Sequence, residues 1–283
     1  MSDVVTVVGG VNHDEILRVS ADPVDDGTAE VERTVAAAGG HAANVAVALA
    51  RLGVPVRLAA AVGGDDHGRR LVRALADEGV DVTEVQVVAA ARTGRALVVN
   101  APTVHHMMLE RGANDALDPH RVAAAVRRGG GPVVVLDPPR PVLAAVVAAA
   151  GTRPLVANPA ARVRELVPAL PDRDGVTVVC NETEHALADA VASTSWCARW
   201  TVVVTRGDRG CSLRAASGWQ DLPAVRVALV DPTGAGDAFT AGYAGAAWRG
   251  AGPRDACVEG TRLAARAVTV DGAWPPRPAL VPA

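Results

Sequence analysis

Short apolar runs alternate along the chain with stretches in which apolar residues recur at helical spacing. Residues 4–8 and 133–136 are continuous runs rich in valine, which are typical of strands buried on both faces of a parallel sheet. In residues 69–78 the apolar side chains fall on one face of a helix. Because strands and helices follow one another in turn, the pattern predicts an α/β fold with an open, mostly parallel sheet.

Two segments break this alternation. Residues 15–38 and 92–111 alternate loosely between apolar and polar positions, and each is interrupted by a proline-containing turn, at 23–27 and at 101–103. This pattern favours pairs of antiparallel strands over helices. We therefore expect the two segments to form a small sheet outside the main body.

Composition narrows the classes of function. Of the 283 residues, 49% are hydrophobic, which is enough for a sizeable core. The formal net charge of -3 gives no sign of a surface that binds nucleic acid or a membrane. The chain contains no lysine, which excludes a Walker-type phosphate loop and a Schiff-base lysine.

The location of the protein is also an expectation from the sequence. The first ten residues carry an acid and no basic region, so they do not resemble a signal peptide, and the longest apolar runs are too short to span a bilayer. The four cysteines, Cys180, Cys197, Cys211 and Cys257, lack the spacing of metal ligands. We expect a cytoplasmic protein whose thiols are reduced and mostly buried.

The stretch richest in candidate chemistry is 231–243, which reads Asp-Pro-Thr-Gly-Ala-Gly-Asp-Ala-Phe-Thr-Ala-Gly-Tyr. It follows an apolar run at 225–230, which we predict to be a strand, and it precedes a helical pattern at 238–248. A loop that joins a strand to a helix leaves backbone N–H groups free at the helix N-terminus, where the helix dipole favours an anion.

Within this stretch, Gly234, Ala235 and Gly236 predict an anion hole, because glycine lets the backbone approach an anion closely. A carboxylate beside such a site is electrostatically costly, and proton abstraction from a hydroxyl would explain why Asp237 is there. The alternative is a glycine-rich turn in which Asp237 only caps the helix.

Polar residues also follow the first predicted strand. Asn12 and Asp14 are two positions apart, so in an extended segment they face the same way and could hold neighbouring hydroxyl groups. The alternative is a local turn stabilised by these side chains. Further along, Gly39-Gly40-His41-Ala42-Ala43-Asn44 opens a predicted helix.

These motifs, in this order, resemble the ribokinase-like family of carbohydrate kinases, of the phosphofructokinase-B type. The resemblance covers essentially the whole chain and implies one domain, 1–283, with a three-layer α/β sandwich and a small β-sheet lid formed by about 15–38 and 92–111. It implies an enzyme that moves the γ-phosphate of ATP to a hydroxymethyl group of a small sugar. ATP and Mg²⁺ are the implied cofactors, K⁺ is a further candidate, and lids of this family often form homodimers.

The resemblance also implies roles for individual residues. Asp237 would be the catalytic base. The implied substrate-binding residues are Asn12, Asp14, Gly39, Gly40, His41, Asn44 and Asp137. The implied ATP-binding residues are Asn181, Thr205, Gly207, Gly210 and Thr261. Glu184 would hold Mg²⁺ through water, although Asn181 and Glu184 also have the spacing of a helix capping box. The implied monovalent-cation residues are Asp231, Thr233, Ala267, Val270 and Gly272.

The chain departs from ribokinases at two of these places, with His41 where they carry a lysine and Pro276 where they carry a serine. Three other functions are alternatives to this one. A nucleoside kinase of the same fold usually brings aromatic side chains from the lid, and the two lid segments contain none. A non-catalytic sugar-binding regulator would be expected to lack Asp237 or the glycine loop. A Rossmann dehydrogenase would need Gly9-Gly10 to continue into the dinucleotide fingerprint, which it does not.

Overall fold

The computed structural model describes residues 4–22, 28–191, 199–215 and 218–276. The predicted turn at 23–27 and Cys197 lie outside them.

The described residues form strands and helices in alternation. The strands are β1 (Val5–Gly9), β2 (Asn12–Val19), β3 (Val31–Gly39), β4 (Val56–Gly63), β5 (Val85–Val88), β6 (Gly94–Asn100), β7 (His105–Glu110), β8 (Val133–Leu136), β9 (Leu155–Asn158), β10 (Val176–Asn181), β11 (Thr201–Thr205), β12 (Cys211–Ala215) and β13 (Gly218–Leu222). The helices are α1 (His41–Arg51), α2 (Asp66–Asp77), α3 (Pro119–Arg128), α4 (Arg140–Ala150), α5 (Val163–Leu166), α6 (Glu182–Val191), α7 (Ala235–Trp248) and α8 (Pro253–Ala267).

The large sheet has nine strands in the order β13-β12-β11-β10-β9-β8-β1-β4-β5. Its pairings are parallel from β5 to β11, and only β12 and β13 are antiparallel additions at one edge. This arrangement confirms the open, mostly parallel sheet expected from the valine-rich runs.

Alternate side chains of the central strands enter two separate hydrophobic cores. In β8, Val134 and Leu136 join the core that includes α1, α7 and α8, whereas Val133 and Val135 join the core that includes α3 and α4. A strand whose residues are buried on both faces must be apolar throughout, which explains the continuous valine runs. The result is a three-layer α/β sandwich.

A second sheet has four strands in the order β3-β2-β6-β7. Strands β2 and β3 pair antiparallel, β6 and β7 pair antiparallel, and β2 pairs with β6 in parallel. Both predicted hairpins are therefore confirmed. The sheet is tied to the body just before β6, where the backbone N–H and hydroxyl of Thr93 donate to the carboxylate of Asp65, the N-cap of α2, at 2.8 and 2.5 Å.

The prediction of a strand at 225–230 is wrong. The segment has no strand structure, and Leu229 is 65% exposed. Its end is held elsewhere, because the N–H groups of Val230 and Asp231 both donate to the carbonyl oxygen of Val268, just after α8, at 2.8 and 3.3 Å. The loop that carries the glycine motif is thus connected to α8 and not to the large sheet.

The described cysteines, Cys180, Cys211 and Cys257, are buried and form no disulfide, as expected. Across the described ranges, no helix is both long enough and apolar enough to cross a bilayer.

Candidate active site

Helix α7 carries the predicted base, and its small residues explain its position. Every residue from Asp237 to Ala246 is buried, because α7 packs against both α1 and α8. Gly242 allows the closest approach, since a Cβ there would lie 2.7 Å from the carbonyl oxygen of Glu259 in α8. The first turn of α7 is thereby fixed within the protein, and Asp237 with it.

The turn before α7 requires glycine at one position. Gly234, the N-cap of the helix, has φ 75°, and a Cβ there would lie 2.6 Å from the carbonyl oxygen of Ala273. Gly236 has open space around its Cα, with no atom within 4 Å of a Cβ placed there. N–H groups in the first turn of a helix lack an acceptor within the helix, so this turn is suited to bind an anion.

Asp237 is 7% exposed, and its carboxylate accepts a hydrogen bond from a side chain of α1. Asn44 Nδ2 donates to Asp237 Oδ2 at 2.7 Å. On the other oxygen, Oδ1, His41 Nδ1 lies 3.9 Å away. Burial raises the pKa of Asp237, and the His41 charge and the Asn44 amide oppose that rise. The Asp237 charge in turn raises the pKa of His41.

Asp237 lies where two cavities meet. The smaller cavity, of 110 Å³, is reached by residues of β2, α1 and β7, and the larger, of 300 Å³, by residues of β10, β11 and the first turn of α7. His41, Gly234 and Asp237 line both. Of the predicted residues, the smaller cavity has Asn12, Asp14, Gly40, His41, Asn44, Asp137, Thr233, Gly234 and Asp237. The larger has His41, Asn181, Glu184, Thr205, Gly234, Ala235, Gly236 and Asp237.

In the smaller cavity, Asn12 is held by another asparagine. Asn114 Nδ2 donates to Asn12 Oδ1 at 2.8 Å, and Asn114 Oδ1 accepts from the N–H of Val11 at 2.9 Å. This fixes the Asn12 amide so that its oxygen faces Asn114.

Asp14 is held by packing and has an unpaired carboxylate oxygen. Its side chain packs on the backbone of Gly39, where a Cβ would lie 1.9 Å from Asp14 Oδ2, so Gly39 leaves room for the carboxylate and does not line the cavity itself. Asp14 Oδ1 and His41 Nδ1 are both buried without a hydrogen-bond partner. Buried polar atoms are normally paired, so this pair of atoms points to a ligand that brings hydrogen-bonding groups.

Asp137 enters the same cavity from the end of β8, with a positive φ of 42°. Arg111 Nη2 contacts it twice, donating to the carbonyl oxygen at 2.9 Å and to Oδ2 at 3.1 Å. Arg111 also donates through Nε to Asp115 at 3.0 Å, so its charge is divided between two carboxylates.

On the larger cavity, Asn181 and Glu184 form a complete capping box at the start of α6. The N–H of Asn181 donates to Glu184 Oε2 at 3.0 Å, and the N–H of Glu184 donates to Asn181 Oδ1 at 2.9 Å. The capping interpretation is therefore confirmed. It is compatible with ligand binding, because both side chains line the larger cavity, with Asn181 exposed and Glu184 half-buried.

Three predicted ATP-binding residues line neither cavity. Gly207 and Gly210 shape the turn between β11 and β12 with φ of 58° and 90°, and a Cβ at Gly210 would lie 2.1 Å from the carbonyl oxygen of Leu222. Thr261 is buried in α8, where its hydroxyl donates to the carbonyl oxygen of Cys257 at 2.9 Å.

The predicted monovalent-cation residues are partly brought together. Asp231 accepts through Oδ1 from the N–H of Thr233 at 2.8 Å and through Oδ2 from the N–H of Gly272 at 2.9 Å. The N–H of Val270 points back to the carbonyl oxygen of Ala267 at 3.4 Å, in the turn that ends α8. These contacts hold the glycine loop to the segment after α8, and cation binding there stays a prediction.

Sequence reasoning missed three side chains that support the site. Asn114 fixes Asn12, Arg111 pairs with Asp137, and Trp274 Nε1 donates to Asn44 Oδ1 at 3.1 Å. No local signal marks them, because each acts on a residue far away in the sequence. Met107 and Leu109 of β7 also line the smaller cavity, and their sequence pattern predicts only that they belong to a hairpin.

Comparisons with known proteins identify the family of this chain. The model of the pfkB family carbohydrate kinases matches residues 2–280. The ATP-dependent ribose-1-phosphate kinase of Halopiger xanaduensis is 32% identical over 83% of this chain and 81% of its own. The ribokinase of Haemophilus influenzae is 27% identical over 96% and 94%, and the solved ribokinase of Thermotoga maritima, 25% identical, superposes with a TM-score of 0.83 over 96% and 95%. The chain belongs to the pfkB family of carbohydrate kinases and is an ATP-dependent kinase of a sugar or a nucleoside.

Proposed function

We propose that the enzyme transfers the γ-phosphate of ATP to a hydroxymethyl group of a small, free sugar, with Asp237 as the general base. The observation that carries the proposal is the position of Asp237 between two cavities of different chemistry. One cavity offers side chains that hold hydroxyl groups, and the other offers the first turn of a helix.

The phosphoryl group would lie at the N-terminus of α7. Gly236 and Asp237 line the larger cavity, and N–H groups at such positions stabilise the negative charge of a phosphoryl group in flight. Asp237 Oδ1, which is not the oxygen bound by Asn44, would accept the proton of the acceptor hydroxyl. A pKa raised by burial favours that step, since a base works best when its pKa approaches the working pH.

Magnesium fits the larger cavity with few protein ligands. Among the described residues there is no cluster of three or more histidine, cysteine, aspartate or glutamate side chains able to hold a metal ion, and Glu184 supplies one carboxylate beside Asp237. Mg²⁺ commonly uses one or two carboxylates and otherwise waters and substrate phosphates. Held in this way with ATP, it would neutralise the charge of the β- and γ-phosphates.

The acceptor would be neutral and rich in hydroxyl groups. Asp14 Oδ1 and His41 Nδ1 lack partners, and Asn12 is fixed to present its amide. Sugar hydroxyls donate and accept hydrogen bonds, so they match both unpaired atoms.

A phosphorylated sugar fits this cavity less well. Four carboxylates line it, from Asp14, Glu110, Asp137 and Asp237, and the Arg111 guanidinium is already shared by Asp137 and Asp115. A second phosphate on the acceptor would meet mostly like charge. We therefore propose free sugars, although the relative from Halopiger xanaduensis is named for a sugar phosphate.

A nucleoside is the second candidate, and one observation favours it. Met107 and Leu109 bring apolar side chains from β7 to the smaller cavity, where a nucleobase could pack against them. Solved nucleoside kinases share the fold, at 19% identity for the enzyme of Methanocaldococcus jannaschii.

The deciding experiment is ADP formation from ATP with a panel of pentoses, hexoses, pentose phosphates and nucleosides, each measured with and without Mg²⁺. We expect Mg²⁺-dependent turnover with a free sugar and little with its phosphate. NMR of the product would identify the phosphorylated hydroxyl from its coupling to phosphorus.

Other results of this experiment would support other functions. Turnover restricted to nucleosides would replace the proposal by the second candidate, and turnover restricted to sugar phosphates would show that the charge argument fails. Sugar binding without turnover under any condition would support a regulatory protein instead.

Sugar affinity is expected to depend on pH through Asp14. Burial, together with the charge of Asp237, raises the pKa of Asp14 to about 7, and His41 opposes the rise. The carboxylate accepts sugar hydroxyls better than the protonated form does, so sugar KM should fall as pH rises through about 7. Asp14→Asn should weaken sugar binding by about 1–3 kcal/mol and abolish that transition. Glu15→Gln, on the adjacent position of β2, is the control that should retain it.

Sugar binding is expected to slow hydrogen exchange in the small sheet. Asn12 and Asp14 belong to β2, whereas Asp237 belongs to α7, so an acceptor bound to both would join the small sheet to the body. Residues 16–22, 28–35 and 95–111 should therefore gain protection together with sugar and not with ATP alone. The body strands β8 and β10 serve as the internal reference. A small sheet that is already protected in the free enzyme and indifferent to sugar would instead indicate a fixed homodimer interface.

A further inference from the structure

The segment that follows α8 contacts the loop that leads into α7 at two positions. The N–H of Gly272 donates to Asp231 Oδ2 at 2.9 Å, and Ala273 lies against Gly234, whose added Cβ would be 2.6 Å from the Ala273 carbonyl oxygen. Gly272 and Ala273 therefore support the loop that leads into α7.

Trp274, the residue after Ala273, contacts the proposed base Asp237 indirectly, through the side chain of Asn44. Trp274 Nε1 donates to Asn44 Oδ1 at 3.1 Å, and Asn44 Nδ2 donates to Asp237 Oδ2 at 2.7 Å. An amide has one oxygen and one nitrogen, so the indole donor determines which of them faces Asp237. With the oxygen held by Trp274, the nitrogen is directed at the carboxylate.

Trp274 is itself held in place by the far end of the same helix that carries Asn44. The Arg51 guanidinium lies 5.6 Å from the centre of the Trp274 ring, and Arg51 also donates to the carbonyl oxygen of Pro275. Two parallel hydrogen bonds of 2.8 Å to Glu78 fix that guanidinium. The chain of contacts thus runs from Glu78 through Arg51, Trp274 and Asn44 to Asp237.

We propose that Trp274 is a positioning residue for the catalytic base. It orients the Asn44 amide so that Asp237 receives a charge-assisted hydrogen bond on Oδ2 and keeps Oδ1 for the acceptor hydroxyl. The proposal rests on the proposed role of Asp237, and it assigns a function to a tryptophan that no motif marks.

The sharpest test is Trp274→Phe, which keeps an aromatic ring and removes the indole N–H donor together with the smaller ring that carries it. Without that donor the Asn44 amide is free to turn, and the hydrogen bond that favours ionised Asp237 weakens. The acid limb of the kcat profile should then move to higher pH by roughly one unit, so that kcat on that limb falls about tenfold. The plateau at high pH, ATP KM and the melting temperature should change little. Arg51→Met should move the limb in the same direction by a smaller amount.

Trp248→Phe is the matched control, because Trp248 ends α7 away from both cavities and should leave the profile unchanged. A second readout needs no acceptor. In ¹H–¹⁵N spectra, the indole N–H of Trp274, assigned by its loss in Trp274→Phe, should shift with pH as Asp237 titrates, and Asp237→Asn should abolish that shift.

Two results would overturn the proposal. An unmoved acid limb in Trp274→Phe would do so, including the case in which the variant only lowers the plateau and the melting temperature. An indole signal that ignores the ionisation of Asp237 would do so independently. Failure of the sugar proposal would look different, since it would change the preferred acceptor and leave the indole titration intact.

Discussion

Asp237→Asn is expected to fold normally and to lose a factor of about 10² to 10⁴ in kcat. The amide keeps the shape of the carboxylate and removes its ability to take a proton from the acceptor. The fold should be preserved because Asn44 Nδ2 can still donate to the remaining side-chain oxygen, in place of its present 2.7 Å bond to Asp237. Turnover with saturating sugar and ATP measures the loss.

Thermal unfolding and ATP binding are the controls for this variant. The melting temperature should not fall, since the buried charge is removed from a site where burial raises its pKa. ATP binding should be retained or strengthened, because one negative charge leaves the neighbourhood of the phosphates. Full turnover by a folded Asp237→Asn enzyme would remove Asp237 from the mechanism.

Gly234→Ala is expected to damage both stability and turnover. The φ of 75° is strained for any residue with a Cβ, which costs about 1–3 kcal/mol, and the new methyl group would collide with the Ala273 carbonyl at 2.6 Å. Relief of that collision requires the first turn of α7 to move. A displacement of about 1 Å at a catalytic group can reduce the rate about 10²-fold. Thermal melting and kcat measure the two effects.

Gly236→Ala is the matched comparison, two residues away in the same motif. No atom lies within 4 Å of its added Cβ, and alanine is favoured over glycine inside a helix by about 1 kcal/mol. Its melting temperature should therefore hold or rise. Turnover should still fall, because the methyl group would enter the larger cavity where the phosphoryl group is proposed to bind. Equal melting temperatures for the two variants would contradict the assigned strain at Gly234.

The core of the site was predictable because its chemistry is local in the sequence. The loop around Asp237 is one continuous stretch, and its residue types predict a base. Asn12 and Asp14 are two residues apart after a strand, and their spacing predicts that they bind hydroxyl groups. The supporting side chains could not be found in this way. Asn114 is 102 residues from Asn12, and Trp274 is 230 residues from Asn44. Only the packed fold brings such pairs together.

The same distinction applies to the fold. Strands buried on both faces, such as β8, are apolar throughout, so their composition predicts them. The hairpins β2–β3 and β6–β7 are predicted by patterns within short stretches of sequence. The segment 225–230 has the composition of a strand, but its end is bound to Val268 after α8, a tertiary contact that composition does not reveal. The edge strand β5 has only four residues, and a run that short gives little periodicity to detect.

Asn12, Asp14 and the apolar residues of β7 belong to the four-stranded sheet, whereas Asp237 and the turn before it belong to α7. Under the proposed function, different stretches of the chain would therefore bind the acceptor and transfer the phosphoryl group. Substitutions in the small sheet could then admit a new acceptor while the first turn of α7 stays unchanged. Because His41 and Asp137 of the main body also line the acceptor cavity, changes in the small sheet would alter one part of the acceptor contacts and leave the base in place.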